Sequence, residues 1–333
     1  MKNKSSVFAP FEGRRVLVTG GLGFIGSNLA HALVRTGAHV TLVDSLIPQY
    51  GGNLANIRGI ERRLRVNISD VRDVYGLPAL VAGQDFLFNL AGQTSHLDSM
   101  QDPVADLEIN CAAQLSILEC CRKHNPGVRI VFAGTRQIYG RPDFLPVTED
   151  HPIRPVDVNG INKAAGETYH LLYQRVHGLR TSVLRLTNTI GPRMRIRDAR
   201  QTFVGIWIRR LLEGQAIEVW GGDQRRDFTY VDDAVEALAL AATRPEAEGE
   251  VFNLGGREVI TLRDLAALAI EVNGGGSSVV RAFPPERQAI DIGDFYSDFS
   301  KITCMLGWRP RTTLRTAMAR TLAYHRKTLA SYV

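Results

Sequence analysis

The run R-V-L-V-T-G-G-L-G-F-I-G, Arg15 to Gly26, joins an apolar β-branched segment to a glycine-rich turn and then to the start of an apolar-striped segment. It reads as strand Arg15–Thr19, turn, and helix Phe24–Thr36. Gly20, Gly23 and Gly26 are spaced GxxGxxG. Glycines there permit a tight turn and close backbone approach, so the N–H groups of Gly20, Gly23, Phe24, Ile25 and Gly26 can cradle a pyrophosphate at a helix N-terminus. The next strand, Val40–Asp44, ends on an acid 18 residues after Gly26. A carboxylate at that point accepts both ribose hydroxyls and repels a 2′-phosphate, which selects NAD over NADP.

Outward from this unit the pattern repeats. Leu64–Ile68, Phe86–Leu90, Arg129–Ala133 and Thr181–Leu186 read as strands. Val71–Val81, Val104–His124 and Ile161–His177 read as helices between them. Strands alternating with helices predict βαβ units with right-handed crossovers. The expected fold class is α/β, a Rossmann-type doubly wound parallel sheet. After Gly191-Pro192 the pattern changes. Helices Phe203–Leu212, Val231–Thr243, Leu262–Val272 and Leu314–Ala330 mix with short strands Ile217–Trp220, Phe228–Tyr230 and Val251–Leu254. This predicts an NAD-binding domain over residues 1–191 and a smaller mixed α/β C-terminal substrate lobe over 192–333, with chain crossings between them. Gly274-Gly275-Gly276-Ser277-Ser278 reads as a surface turn.

The chain has 333 residues, 44% hydrophobic and 22% charged, with net charge +6. Such a composition excludes a disordered tail, a collagen-like fibre and a membrane bundle. Lysine occurs only at positions 2, 4, 123, 163, 301 and 327, so arginine supplies nearly all the positive charge. Arginine suits bidentate phosphate or carboxylate recognition, and no basic run of nucleic-acid type is present. Cys111, Cys120, Cys121 and Cys304 show no metal-ligand spacing and read as reduced thiols. With no apolar leader and no apolar run of membrane length, the expectation is a cytoplasmic protein without membrane or nucleic-acid partners.

Together these motifs resemble the extended short-chain dehydrogenase/reductases, specifically the nucleotide-sugar epimerase and dehydratase group, from about Arg15 to Tyr324. The matching stretches are the glycine run, Asp70-Val71, N-L-A-G-Q (Asn89–Gln93), Asn110, G-T-R-Q-I-Y-G (Gly134–Gly140), Lys163, L-R-L-T-N-T-I-G-P-R (Leu184–Arg193) and R-D-F-T-Y-V-D-D (Arg226–Asp233). The resemblance implies that Asp70 and Val71 flank adenine, that Ala91, Gly92 and Gln93 pass the pyrophosphate and ribose, and that Asn110 belongs to the same cofactor site. It also implies that Lys163 binds the nicotinamide ribose.

The resemblance further implies a Ser/Thr before the Tyr-Gly pair and a tyrosine base four residues before the lysine. Thr135 fills the first place, but Asn159 stands at the second, in V-N-G-I-N-K. An amide hydrogen-bonds and cannot act as a base. Three readings stay open. His96, in T-S-H-L-D-S after the fourth strand, supplies the base, since an imidazole titrates near neutrality; Tyr139 and Asp98 are weaker candidates. Alternatively Lys163 accepts the proton itself, or the site binds NAD without redox chemistry. Arg136-Gln137 stand where related dehydratases carry an Asp-Glu pair and related decarboxylases a Glu. That favours an epimerase, UDP-glucose 4-epimerase-like, in which hydride leaves and returns on opposite faces of a keto sugar.

By the same resemblance Asn188, Arg226 and Arg287 meet the diphosphate of a nucleotide-diphosphate sugar, and Arg193 lines the same cleft. Relatives pair two long helices per subunit. Here those are Val104–His124 and Ile161–His177, which predicts a homodimer.

Overall fold

Alternation within β1 (Arg15–Thr19) sets the layers: Val16 and Val18 enter one apolar core, Leu17 another. The split recurs in β4 (Phe86–Asn89), where Phe86 and Phe88 face the first core and Leu87 the second. A strand apolar on both faces needs helices on both sides. The structure, a computed structural model, describes residues 5–284, 288 and 290–333.

The remaining strands are β2 (His39–Asp44), β3 (Arg65–Ile68), β5 (Arg129–Thr135), β6 (Arg180–Leu186), β7 (Asn188–Ile190), β8 (Ile217–Trp220), β9 (Arg225–Tyr230), β10 (Val251–Asn253), β11 (Val259–Thr261) and β12 (Ser278–Arg281). Seven form one sheet in the order β10-β6-β5-β4-β1-β2-β3, every pair parallel. This is the doubly wound Rossmann sheet that the alternating pattern predicts. The order reverses between β1 and β4, and such a switch point opens a crevice at the strands' carboxyl ends. Helices Phe24–Arg35 and Val231–Thr243 cover the first face. Leu77–Val81, Ala113–His124 and Tyr173 of helix Val158–His177 contribute to the second. The smaller sheets are β11-β9-β7 and β12-β8.

Three sequence expectations need revision. Helix Val71–Val81 shrinks to Leu77–Val81. The backbone N–H groups of Arg72 and Tyr75 go to the side chains of Asp70 and Asp73, local bonds that compete with a helix, and Pro78 lies in the new first turn. Helix Val104–His124 begins at Pro103 and is interrupted by a π turn, Glu108–Ala112, where Gln114 donates to the Ile109 carbonyl. Helix Ile161–His177 starts earlier, at Val158, because Asp157 caps it through the Gly160 N–H at 2.6 Å. The segment Val251–Leu254, read among the elements after Gly191, supplies the edge strand of the large sheet, a crossing of the kind the sequence expects.

Helix Val158–His177 is bound to the sheet by a buried ion pair. Arg185 of β6 donates bidentately to Glu167, at 2.6 and 3.0 Å. The same guanidinium donates to the Tyr139 hydroxyl, which donates to Asn253 of β10 at 2.7 Å. Among the described residues no helix is long and apolar enough to cross a membrane.

Candidate functional site

The crevice begins at the glycine turn. Gly20 has φ +65°, and a Cβ there would lie 2.9 Å from the Leu90 carbonyl oxygen. A Cβ on Gly26 would lie 2.3 Å from the Gly20 oxygen. The first requires glycine for its backbone, the second for close helix–strand packing. Gly23 precedes helix Phe24–Arg35 with no side chain capping it, so the helix N-terminus faces the crevice bare.

Asp44, at the end of β2, lines this crevice. Its carboxylate accepts from the Leu22 N–H at 3.0 Å and the Leu46 N–H at 2.9 Å. Burial nevertheless raises its pKa above the ordinary aspartate value. Asp70 and Val71 line the same wall; Asp70 is held by Arg72 at 2.8 Å, which lowers its pKa. Ala91, Gly92 and Gln93 form the opposite lip. A Cβ on Gly92 would strike the Lys163 ammonium at 2.7 Å and the Asn110 side-chain Oδ1 at 2.8 Å, so both sit directly beneath that backbone. Asn110 itself lies behind the lip and not on the crevice surface; its amide nitrogen donates to the Gln93 carbonyl and to Asp106, both at 3.0 Å.

Ser69 Oγ and Gln93 Oε1, both on the crevice wall, are buried without partners. Buried polar atoms left unpaired are costly and call for a ligand. With the glycine cradle, the bare helix N-terminus and Asp44, they fit a dinucleotide whose pyrophosphate lies on the turn and whose ribose hydroxyls reach Asp44.

Thr135, at the end of β5, Lys163 and Asn159 meet in the inner part of this crevice. Lys163 is buried, and burial lowers its pKa to about 8 against a smaller opposing effect of Asp106. Its ammonium donates to the Ala133 carbonyl at 3.3 Å and lies 5.1 Å from the Phe132 ring centre. Asn159 is equally buried. Its amide nitrogen is committed to the Gln93 carbonyl at 2.8 Å and to Asp106 at 3.1 Å. Asp106 also accepts from Asn162 at 2.8 Å, so one buried carboxylate organises three asparagines under Lys163. At the tyrosine's position the chain has built a framework hydrogen bond.

His96 reaches the crevice from the start of helix His96–Gln101. Its Nδ1 lies 2.9 Å from Asp157 Oδ2. Asp157 is buried, and burial alone would raise its pKa; His96, the Gly160 N–H and the Gln137 amide at 2.8 Å outweigh that and hold it below the ordinary value. Nδ1 and Oδ2 stand at ion-pair distance without hydrogen-bond alignment. Sequence reading missed Asp157 and Asp106. The signal for Asp157 was available: an aspartate just before a helix is an N-cap.

The two weaker candidates are otherwise engaged. Tyr139 lies outside the crevice, and burial pushes its pKa up to about 12. Asp98 is paired with Arg200 at 2.7 Å.

A second cleft adjoins the first along His96, Arg136, Gln137, Asn188, Gln201 and Thr202. Arg226 lines it, buried, 3.4 Å from Asp291 and donating to the Gly293 carbonyl. Asn188 lies on the seam. Arg193 is not brought to either cleft. It donates to Asn28 at 2.8 Å and to the Asn56 carbonyl at 3.1 Å, beneath Tyr324, and so ties the glycine-turn helix to the C-terminal helix. Arg287 lies outside the described residues.

The NAD dependent epimerase/dehydratase family model matches residues 16–255. A UDP-glucose 4-epimerase from Mycolicibacterium smegmatis is 31% identical over 318 residues, covering 94% of this chain and 98% of that protein. The crystal structure of UDP-glucose 4-epimerase with UDP-glucose from Thermotoga maritima superposes with a TM-score of 0.87 at 31% identity, covering 95% of this chain and 99% of that one. A dTDP-glucose 4,6-dehydratase from Streptomyces venezuelae, solved with NAD bound, superposes with a TM-score of 0.87 at 28% identity, covering 96% and 98%. A dinucleotide crevice at the switch point of a doubly wound sheet, matched over nearly the whole chain by such proteins, makes this chain a member of the NAD-dependent epimerase/dehydratase family of enzymes.

Proposed function

We propose that this chain is an NAD-dependent nucleotide-sugar epimerase, UDP-glucose 4-epimerase-like in its chemistry, with His96 as the base in place of the tyrosine. The observation that carries the reading is His96 on the wall shared by the two clefts, 2.9 Å from the buried Asp157, beside an Asn159 committed to the framework. Bound NAD supplies a hydride acceptor and donor. The protein does the rest. Asp157 fixes the imidazole so that Nε2 takes the proton of a sugar hydroxyl and later returns it. Thr135 hydrogen-bonds the same hydroxyl, and Lys163 supplies positive potential beside it. Arg226 holds the diphosphate while the ketone presents its other face.

The two residues after Thr135 favour epimerisation over dehydration. Arg136 donates to Asn188 at 3.1 Å and Gln137 to Asp157, so neither offers a carboxyl acid for elimination. A second reading has Lys163 take the proton; its pKa of about 8 favours that. The test monitors reduced-cofactor absorbance and deuterium uptake while the protein turns over a panel of nucleotide sugars in deuterated water. Inversion at one carbon, with transient reduced cofactor and no loss of water, is expected. Absence of turnover and of reduced cofactor across the panel would leave an NAD-binding protein without redox chemistry.

We also infer a homodimer. Ile161, Leu172 and Val176 are exposed on one stripe of helix Val158–His177, and Val104 and Leu107 are exposed on the segment leading into the neighbouring helix. An exposed apolar stripe spanning packed helices marks an interface. Val176→Glu, far from the crevice, places a charge in it. It should weaken dimerisation at least ~100-fold, seen as a monomer by light scattering, with NAD affinity intact. A wild-type monomer would sink the idea.

A further inference from the structure

Arg136 is a partly buried arginine that, among the described residues, has no anionic partner. Its Nη2 donates to Asn188 at 3.1 Å, and its Nη1 is buried with no partner. Its flat face lies 5.2 Å from the centre of the Phe295 ring. Among the described residues no carboxylate oxygen lies within 4.0 Å of it. Burial, aided by the like charge of Arg226, lowers its pKa to about 10.

The described acids around it are engaged elsewhere. Asp227 accepts from Thr187 at 2.7 Å and from the N–H groups of Gly256 and Ser297. Asp157 holds His96, Gln137 and Gly160. Asp291 accepts from Gly293 N–H at 3.0 Å and pairs with Arg226. A buried, uncompensated charge weakens a fold, so a ligand that completes it is the economical explanation. Asn188, which accepts from Arg136, repeats the signal: its Nδ2 is also buried and unpaired.

Position selects the ligand. Arg136 directly succeeds Thr135 and lines both clefts, whereas Arg226 lines only the second. We propose that Arg136 reads an anionic substituent on the sugar ring itself, a carboxylate, so that the preferred substrate is a nucleotide-activated hexuronic acid. Nη1, with Asn188 Nδ2 beside it, donates to the carboxylate, and the diphosphate is left to Arg226. A planar guanidinium already braced on one side matches a carboxylate better than a neutral hydroxymethyl group, which leaves the charge unpaired. This preference rests on the nucleotide-sugar reading and narrows it.

The test titrates the NAD-loaded protein with matched pairs, nucleotide-hexuronate against nucleotide-hexose, across uridine, thymidine and guanosine diphosphates. Each pair shares its diphosphate and differs only at the ring substituent. Wild type should bind the hexuronate of the accepted nucleotide ~10- to 100-fold tighter than the hexose. Arg136→Met should shrink that preference to within about threefold, chiefly by weakening hexuronate binding. It should not lower Tm without ligand, because it removes an uncompensated charge. Equal wild-type affinity within a pair overturns the proposal and spares the nucleotide-sugar function. So does an Arg136→Met loss shared by hexuronate, hexose and the bare nucleoside diphosphate, which would assign Arg136 to the phosphates. No binding by any pair overturns both.

Discussion

Replacing His96 by asparagine should lower kcat by ~10²- to 10⁴-fold, the span that a positioned general base contributes, while NAD affinity stays within about twofold. The asparagine keeps a polar side chain toward Asp157 but has no basic nitrogen. Asp157→Asn should also lower kcat, with KM little changed. A neutral amide can donate to Nδ1 and stabilise the wrong tautomer, and the helix cap that it provides is retained. Asp157 touches no substrate in this mechanism and acts by positioning, so the split between kcat and KM is the telling measurement.

The pH profile separates the two candidate bases. Lys163 is protonated below about 8 and neutral above it, because burial has lowered its pKa from 10.5. If His96 is the base and Lys163 the cation, kcat/KM falls above about pH 8 as the ammonium is lost. If Lys163 is the base, activity instead rises through about pH 8, and the His96→Asn enzyme keeps both that limb and most of its rate. That second outcome would remove His96 from the mechanism.

Asp44→Ala should weaken NAD binding by ~10²- to 10⁴-fold, the loss of two hydrogen bonds to a charged acceptor. It should also close most of the gap between NAD and NADP, because no carboxylate is left to repel the 2′-phosphate. Calorimetric titration of both dinucleotides measures each effect. Asp44→Asn is the necessary companion. The native carboxylate also accepts from Leu22 and Leu46, and an amide can keep one of those bonds and so preserve the loop. Unchanged NAD affinity in Asp44→Ala, with an intact fold, would refute the ribose assignment.

Local patterning carried most of the fold. Val16 and Val18 against Leu17, the glycine spacing after Thr19 and the acid at Asp44 depend on residues close in sequence, and their consequences follow from strand periodicity and turn sterics. The same holds for the gap at Asn159, visible from its distance to Lys163 alone. Where local reading erred, local chemistry of another kind had won. Asp70 and Asp73 drew backbone N–H groups into turns and shortened a helix.

Tertiary structure decided what touches what across long separations. His96 and Asp157 are 61 positions apart and meet because the loop after β4 and the N-terminus of helix Val158–His177 converge at the carboxyl ends of parallel strands. Arg193 comes after a Gly-Pro turn as Arg226 precedes an acidic run, and nothing in their neighbours tells a clamp on Asn28 from a side chain lining a ligand cleft. Sequence puts Arg136 directly after Thr135, where it can hold a substrate carboxylate or hydroxyl or equally face outward. Only packing, which buries its Nη1 beside Arg226 while the described acids nearby are held elsewhere, leaves it waiting for an anion. Hydrogen-bond saturation is a property of the folded neighbourhood, because it depends on which groups the fold brings together and which partners they have already taken.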